Sequence, residues 1–325
     1  MPPSLPPPSC IEDIISAMRC ADDKPRVAIA PCAEGFVLRA GLDAAKKGLA
    51  MPVFIGNRDK ALKLAEERGL DLSPYEFEDC PDDTQAVVRA VELFRTGQAQ
   101  LIMKGLVSTA TVLKAVLNKE AGLLPEGGIL SHVSVFDAPT CTRGCELDGK
   151  RLMLLTDAGV NIRPTLQRKV EILRNALSVA RALGIVTPRV AILAATEKVN
   201  YPAMPATLDA DLLAKMGQAG DFGTALVAGP LALDIAVSPS AAALKGISGP
   251  VAGKADILCT PDIESGNILY KTFSALMGLT MASVVVGSRV PVVVPSRGDS
   301  EQSKLASIAL AAYLARQARN AEIPA

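Results

Sequence analysis

Short apolar runs that end in polar junctions and restart as helices recur along this chain, and that alternation constrains the fold more than any other feature. Arg26-Val-Ala-Ile-Ala30 reads as a strand, Glu34 to Lys47 as a helix, Pro52-Val-Phe-Ile-Gly56 as the next strand and Asn57 through Arg68 as a helix. Tyr75-Glu-Phe-Glu78 then reads as extended and Thr84 to Thr96 as helical. Strands this short and apolar, separated by helices, argue for an α/β fold with mostly parallel sheets covered by helices. Hydrophobic residues make up 49% of the chain but aromatics only 3%, with no Trp, so Ala, Val, Leu and Ile must build the core.

At 325 residues the chain exceeds the usual single-domain size, and two domains are expected. Lys plus Arg and Asp plus Glu balance at 34 each, which gives no net attraction to nucleic acid or an anionic membrane; neither is expected as a partner. Seven cysteines, Cys10, Cys20, Cys32, Cys80, Cys141, Cys145 and Cys259, are odd in number and scattered, so no disulfide framework is expected. Only Cys141 and Cys145 lie close together, with no second pair and one histidine, His132, so no metal site is expected. The proline-rich start, Met1-Pro-Pro-Ser-Leu-Pro-Pro-Pro-Ser-Cys10, lacks a charged-then-apolar leader and reads as part of a flexible tail over 1–24. No apolar run reaches the roughly 18 residues of a spanning helix. A cytoplasmic protein is the resulting expectation.

The chemistry-bearing residues collect where strands give way to helices. Val292, Val293 and Val294 form a β-branched run closed by Pro295, followed by Ser296, Arg297, Gly298, Asp299 and Ser300 and then a long aliphatic helical segment. The first N–H groups of such a helix carry partial positive charge, and Arg297 adds a donor fork suited to phosphate. Helix capping by Ser300, with Asp299 on the dipole, explains the same residues without a ligand. A second junction runs from Ala99 through Lys104, Gly105, Ser108 and Thr109, where the hydroxyls either cap a helix or hold a phosphoryl group. It does not match a phosphate-loop spacing, and no GxGxxG fingerprint occurs.

His132–Asp137 and Arg151–Asp157 are strand candidates that form a hairpin or a connection between domains. His132 is read as structural. Pro164 opens a long amphipathic helix to Leu183. Arg189 to Ala195 reads as a strand, Pro205 to Gln218 as a helix, and a Gly229-Pro230 turn leads to Asp234, a ligand contact or a cap. Another strand-to-helix junction gathers Pro261, Asp262, Glu264, Gly266 and Asn267, with helix continuing to Met277, and Ser283 to Gly287 is a further strand. In open parallel sheets ligands bind at this carboxyl end of the strands.

Five blocks, in order, resemble the phosphate acetyltransferase and phosphate butyryltransferase family. They are Lys104-Gly-Leu-Val-Ser-Thr109, Asp157-Ala-Gly-Val-Asn161-Ile-Arg-Pro-Thr165, Gly229-Pro-Leu-Ala-Leu-Asp234, Pro261-Asp-Ile-Glu-Ser-Gly-Asn267 with Tyr270-Lys271, and Pro295-Ser-Arg-Gly-Asp-Ser300. The resemblance implies a two-domain fold like that of isocitrate and isopropylmalate dehydrogenases, with an interdomain active site. The first domain would hold 25–140 plus 297–325 and the second 141–296. It implies reversible transfer of a short acyl group between coenzyme A and inorganic phosphate, with acetyl the leading acyl group and butyryl or a longer group the alternative. It further implies a homodimer, no permanently bound cofactor, no metal, and acyl-CoA and phosphate as small-molecule partners.

By the same resemblance Ser296, Arg297 and Asp299 are the catalytic candidates. Arg297 would neutralise phosphate and the charge developing on the carbonyl oxygen, and Ser296 would contact the sulfur region of coenzyme A. Ser108 and Thr109 would hold phosphoryl oxygens, while Asn161, Asp234, Gly266 and Asn267 would contribute to substrate binding. The chain departs from the acetyl-transferring branch at Ser303, where that branch carries a carboxylate acting as base; Asp299 is the nearer acid. Ala158 replaces the family's cysteine, which argues against a thiol nucleophile. A metal- and nicotinamide-dependent dehydrogenase on the same fold would need an aspartate cluster that this sequence lacks. A non-catalytic acyl-CoA or acyl-phosphate sensor is the reading that Ser303 motivates.

Overall fold

The computed structural model describes residues 7–139 and 150–322. Cys141 and Cys145 lie outside the described residues. Two compact units divide the chain: Glu12–Leu130 with Ala282–Ala325, and Ser131–Met281 with the segment ending at Ile11.

The first of these is a helix-covered sheet. Its strands are β1 (Arg26–Ala30), β2 (Met51–Gly56), β3 (Glu76–Asp79), β4 (Leu101–Lys104), β10 (Ala282–Val286) and β11 (Val292–Val293), in the order β3-β2-β1-β4-β11-β10. All neighbours are parallel except β10, which runs antiparallel to β11. Helices α2 (Gly35–Lys46), α3 (Arg58–Glu67) and α4 (Asp83–Arg95) connect the parallel strands β1 to β4, and α5 (Thr109–Val116) follows β4. Each opens on a residue that satisfies an orphan N–H: Asn57 accepts from Lys60, Asp82 from Gln85, Ser108 from Thr111, and Glu34 from Gly35. Ile29, Leu38, Leu42, Phe54, Ile55, Leu93, Leu101 and Ile102 are fully buried, the aliphatic core that the composition requires.

Helix α11 (Glu301–Glu322) completes this unit and packs on β10, β11, β4 and α2. From Ser303 to Tyr313 every residue is buried, so the helix is covered on all sides and shows no solvent-facing polar stripe there. Ser307 ties it to the sheet, accepting from the Ser283 amide at 2.9 Å while donating to the Ser303 carbonyl at 2.7 Å.

The second unit contains β5 (Ser131–Asp137), β6 (Leu152–Thr156), β7 (Arg189–Leu193), β8 (Leu226–Leu231) and β9 (Ile257–Cys259), in the order β5-β6-β9-β7-β8. The two candidate strands on either side of 140–149 are an antiparallel pair, β5 against β6, and the remaining neighbours are parallel. Its helices are α6 (Leu166–Ala182), α7 (Pro205–Ala219), α8 (Leu233–Val237), α9 (Pro239–Leu244) and α10 (Ile263–Lys271), the last passing into a π turn over Thr272–Leu276. Phe136 and Phe273 meet in its core at 4.9 Å between ring centroids.

Two organisational expectations need correction. The flexible tail does not extend to residue 24, because Ile11–Arg19 forms helix α1 with Ile11, Ile14, Ile15 and Met18 buried. The three- and four-residue spacing of these apolar side chains is a helical stripe that the preceding prolines concealed. Lys24 closes that helix by donating to the Met18 and Arg19 carbonyls. The division between units falls after Leu130 and Met281, not after 140 and 296. Strand pairing supplies the reason: β5 pairs with β6, whereas β11 pairs with β4 and brings β10 with it. No helix among the described residues is long and apolar enough to cross a membrane.

Candidate functional site

In the first unit, β4 and β11 lie side by side and parallel, with Val292 opposite Ile102 and Val293 opposite Met103. Their carboxyl ends therefore deliver two loops to adjacent positions, Lys104–Thr109 and Pro295–Ser300. The first is pressed against the end of β1: a Cβ on Gly105 would stand 1.7 Å from the Pro31 carbonyl oxygen, so only glycine permits this path. Ser108 caps α5, its Oγ accepting from the Thr111 amide at 3.1 Å and lying 2.8 Å from Thr111 Oγ1. Ser108 is exposed and Thr109 half-buried at the first helical position. The capping role is thus real for Ser108, and it leaves the hydroxyl at the surface of the helix N-terminus.

The second loop is braced by its own acid. Asp299 Oδ2 accepts from the Ser296 amide at 2.8 Å, and the Asp299 amide donates back to the Ser296 carbonyl at 3.1 Å. Ser300 Oγ accepts from the Ser303 amide at 3.1 Å, which makes Ser300 the cap of α11. Lys304 reaches back to donate to the Asp299 carbonyl at 2.8 Å, with its ammonium 5.2 Å from the Phe36 ring centroid. Ser303 is buried beneath this turn and joined to Ser300 by hydroxyls 3.0 Å apart. Arg297 is the member left outward: it is exposed, and no carboxylate among the described residues pairs with it.

In the second unit the polar residues at the strand ends are turned inward. Asp157 follows β6 and is buried; its Oδ1 accepts from the Gly159 and Val160 amides at 2.8 and 2.9 Å. Its Oδ2 accepts from the His132 and Asn161 amides and, at 2.6 Å, from Asn161 Nδ2. Asn161 is buried too, and its Oδ1 accepts from Arg168 at 3.0 Å. Gly266 serves close packing, since a Cβ there would lie 2.3 Å from the Asp157 carbonyl oxygen. Asn267 is exposed and donates to the Ala158 carbonyl at 3.2 Å. Burial opposes ionisation of Asp262, yet hydrogen bonds from Ser265 and the charges of Lys169 and Arg163 outweigh it and hold the carboxyl below its ordinary range.

The structure thus gathers Asn161, Gly266 and Asn267 around the Asp157–Ala158 turn. Asp234 is engaged elsewhere. It is exposed in the first turn of the short helix α8, accepting from the Ile235 amide at 2.9 Å with Lys245 at 3.6 Å. Three residues escaped the sequence reading as individuals: Asp157 as the acceptor that organises the turn, Arg168 as the support of Asn161, and Lys104 as the neighbour of Arg297. An acid at the end of a strand with a glycine two residues on was the available signal for Asp157. Nothing local distinguished the other two.

The family described as Phosphate acetyl/butaryl transferase matches residues 81–312. A phosphate butyryltransferase of Clostridium acetobutylicum is 43% identical over 303 residues, 93% of this chain and 97% of the relative. A phosphate acetyltransferase of Rhizobium meliloti is 38% identical over 318 residues, 98% of this chain and 97% of the relative. A solved branched-chain phosphotransacylase from Enterococcus faecalis V583 has a TM-score of 0.77 and 35% identity, covering 90% of this chain and 99% of that one. A 4-hydroxythreonine-4-phosphate dehydrogenase from Burkholderia phymatum, with a TM-score of 0.51 and 16% identity over 90% of this chain and 99% of that one, shares the fold alone. That likeness fits the dehydrogenase-like architecture expected from the sequence. With a family match over most of its length and relatives aligned along nearly all of both chains, the chain belongs to the phosphate acetyl/butyryl transferase family.

Proposed function

We propose that the chain transfers a short acyl group reversibly between coenzyme A and inorganic phosphate. The observation that carries this reading is the adjacency of the β4 and β11 loops, which offers hydroxyls at a helix N-terminus beside an exposed arginine that pairs with no carboxylate among the described residues. A phosphate oxygen adds to the thioester carbonyl, the C–S bond breaks, and coenzyme A leaves as a thiolate that takes up a proton. Negative charge grows on the carbonyl oxygen during the addition, and a fixed cation lowers that barrier. Arg297 is the residue assigned to this charge and to phosphate. Ser108 and Thr109 hold phosphoryl oxygens, and Ser296 lies toward the sulfur. Asp299 takes the proton that the attacking phosphate gives up and passes it to the leaving thiolate, or carries it the other way in the reverse direction. Held reactants need no covalent enzyme intermediate.

Asn267, exposed in the middle of α10, is assigned a polar substrate contact. Asn161 acts indirectly, by fixing the Asp157 turn on which Asn267 leans. Gly266 contributes by allowing that close approach, and Asp234 is the weakest of the assigned contacts because its own helix and Lys245 already engage it. Exposed Leu233, Leu244, Ile268 and Leu276, all in the second unit, support a homodimer. A cytoplasmic location and the absence of a bound cofactor belong to the same reading.

Relatives of both names leave the acyl group as the finer question. A butyryl or short branched group is favoured over acetyl by the higher identity of the butyryltransferase and by the likeness to a solved branched-chain phosphotransacylase. The test is phosphate-dependent release of free thiol from acetyl-, butyryl-, isobutyryl- and hexanoyl-CoA, against a phosphate-free control. Release that requires phosphate supports the transfer and ranks the chains. Binding of coenzyme A without release would replace the transferase with a sensor.

A further inference from the structure

Lys104 terminates β4 with its side chain half-buried. Its ammonium donates to the carbonyls of Gly105 at 3.1 Å and Val107 at 3.0 Å. An ammonium carries three donors, so one N–H remains after these two bonds. The charged form is disfavoured first by burial and then by the charge of Arg297. Among the described residues no carboxylate pairs with either cation. Two neighbouring cations, one partly dry, repel each other, and an anion between them reverses that cost. The backbone cannot relax away from the arrangement, because Gly105 is locked against the Pro31 carbonyl and Val107 immediately precedes the cap Ser108.

We propose that Lys104 and Arg297 form a two-cation seat for a doubly charged phosphate, in which Lys104 gives its third N–H to a phosphoryl oxygen. Its other two donors hold the loop that carries Ser108 and Thr109. Lys104 is therefore both a contact and a brace, and it selects a compact dianion over a singly charged one. This rests on the phosphate-transfer reading, and the experiment is arranged so that the two fail separately.

Steady-state kinetics on full-length Lys104→Gln and Lys104→Arg would be measured with phosphate and acyl-CoA varied in turn. Binding of inorganic phosphate alone would be followed by calorimetry. The seat predicts that Lys104→Gln raises the KM for phosphate at least tenfold, leaves the KM for acyl-CoA within twofold, and weakens phosphate binding by a similar factor. Lys104→Arg, which keeps the charge, should recover most of that loss. An unchanged phosphate KM in a folded Lys104→Gln protein would overturn the seat while leaving the transferase intact. So would an equal rise in both KM values, which is the mark of a brace alone. If Lys104→Gln does not fold, Lys104→Arg decides: phosphate KM within about threefold of the parent with normal phosphate binding supports the seat, and loss of phosphate binding in the folded protein overturns it. A parent chain that binds phosphate through Lys104 but releases no thiol would keep the seat and remove the transfer reaction.

Discussion

The loops after β4 and β11 and the turn after β6 are built on one plan, polar residues at the carboxyl ends of neighbouring parallel strands, and they end in opposite states. Around Asp157 the polar groups answer one another: the carboxylate takes up backbone amides and the Asn161 side chain, and Asn161 is held in turn by Arg168. Around Arg297 they do not. Asp299 braces its own loop, while among the described residues no acid pairs with Arg297 or with Lys104. Burial sorts the two in the same way, with Asp157 and Asn161 buried and Ser108 and Arg297 exposed. The comparison teaches that residue type does not separate a scaffold from a ligand site; unfilled bonding capacity does.

Replacing Arg297 tests the open side of this contrast most severely. Arg297→Ala should lower kcat/KM by about 2–4 kcal/mol of transition-state stabilisation, with the melting temperature unchanged because the side chain supports nothing in the fold. A folded variant with parental kcat/KM would remove Arg297 from the site. Asp299→Asn sharpens the point, since an amide oxygen can still accept from the Ser296 amide while no longer moving a proton. The expected result is roughly a 100-fold loss in kcat with near-normal stability. Retained kcat would reduce Asp299 to the loop brace that its hydrogen bond already makes it.

How much of this was legible in the sequence follows from the same contrast. The strand-junction-helix rhythm announced the α/β fold because its signals are local: β-branched runs, caps such as Asn57 and Asp82, and a proline near the start of α6. The motif blocks placed Ser108, Arg297 and Asn267 at strand ends for the same reason. Helix α1 was missed because a dense proline run precedes a single short amphipathic stripe. The membership of β10 was missed because strand neighbours are set by pairing across more than a hundred residues, and β11 pairs with β4. The role of Lys104 is non-local in the same sense, since it depends on Arg297, far along the chain. That of Asp157 is mostly local, resting on amides brought round by a turn, with only the His132 amide brought from β5.

The closed side yields a smaller effect of a different kind. Asp157→Ala would strand several donors at once, the two of Asn161 buried, and should cost about 3 kcal/mol of unfolding free energy, read from urea denaturation. Asn161→Ala, which strands fewer, should cost about 1–2 kcal/mol. Asn267→Ala, at an exposed position, should leave stability within about 0.5 kcal/mol. If Asp157→Ala kept full stability and lost only turnover, the turn would be chemistry and not scaffold, and the comparison would break.

The smallest expected effect concerns the thiols, because each region also places a cysteine near the end of a strand. Cys32 follows β1 beside the open loops, and Cys259 ends β9 beside the closed turn; both are buried. Burial pushes each thiol up to about 12, against a weaker opposing influence from the Cys32 backbone hydrogen bond and from the Lys169 charge at Cys259. At pH 8 such a group is ionised to roughly one part in ten thousand, too little for a nucleophile. Short exposure of the native protein to iodoacetamide at that pH should therefore label exposed Cys20, leave Cys32 and Cys259 unmodified by peptide mass spectrometry, and leave phosphate-dependent thiol release unchanged. Rapid labelling of Cys32 or Cys259 with loss of activity would mean that a thiol is reachable at a strand end, and the acyl group would then have a covalent stopping point that direct transfer to phosphate does not need.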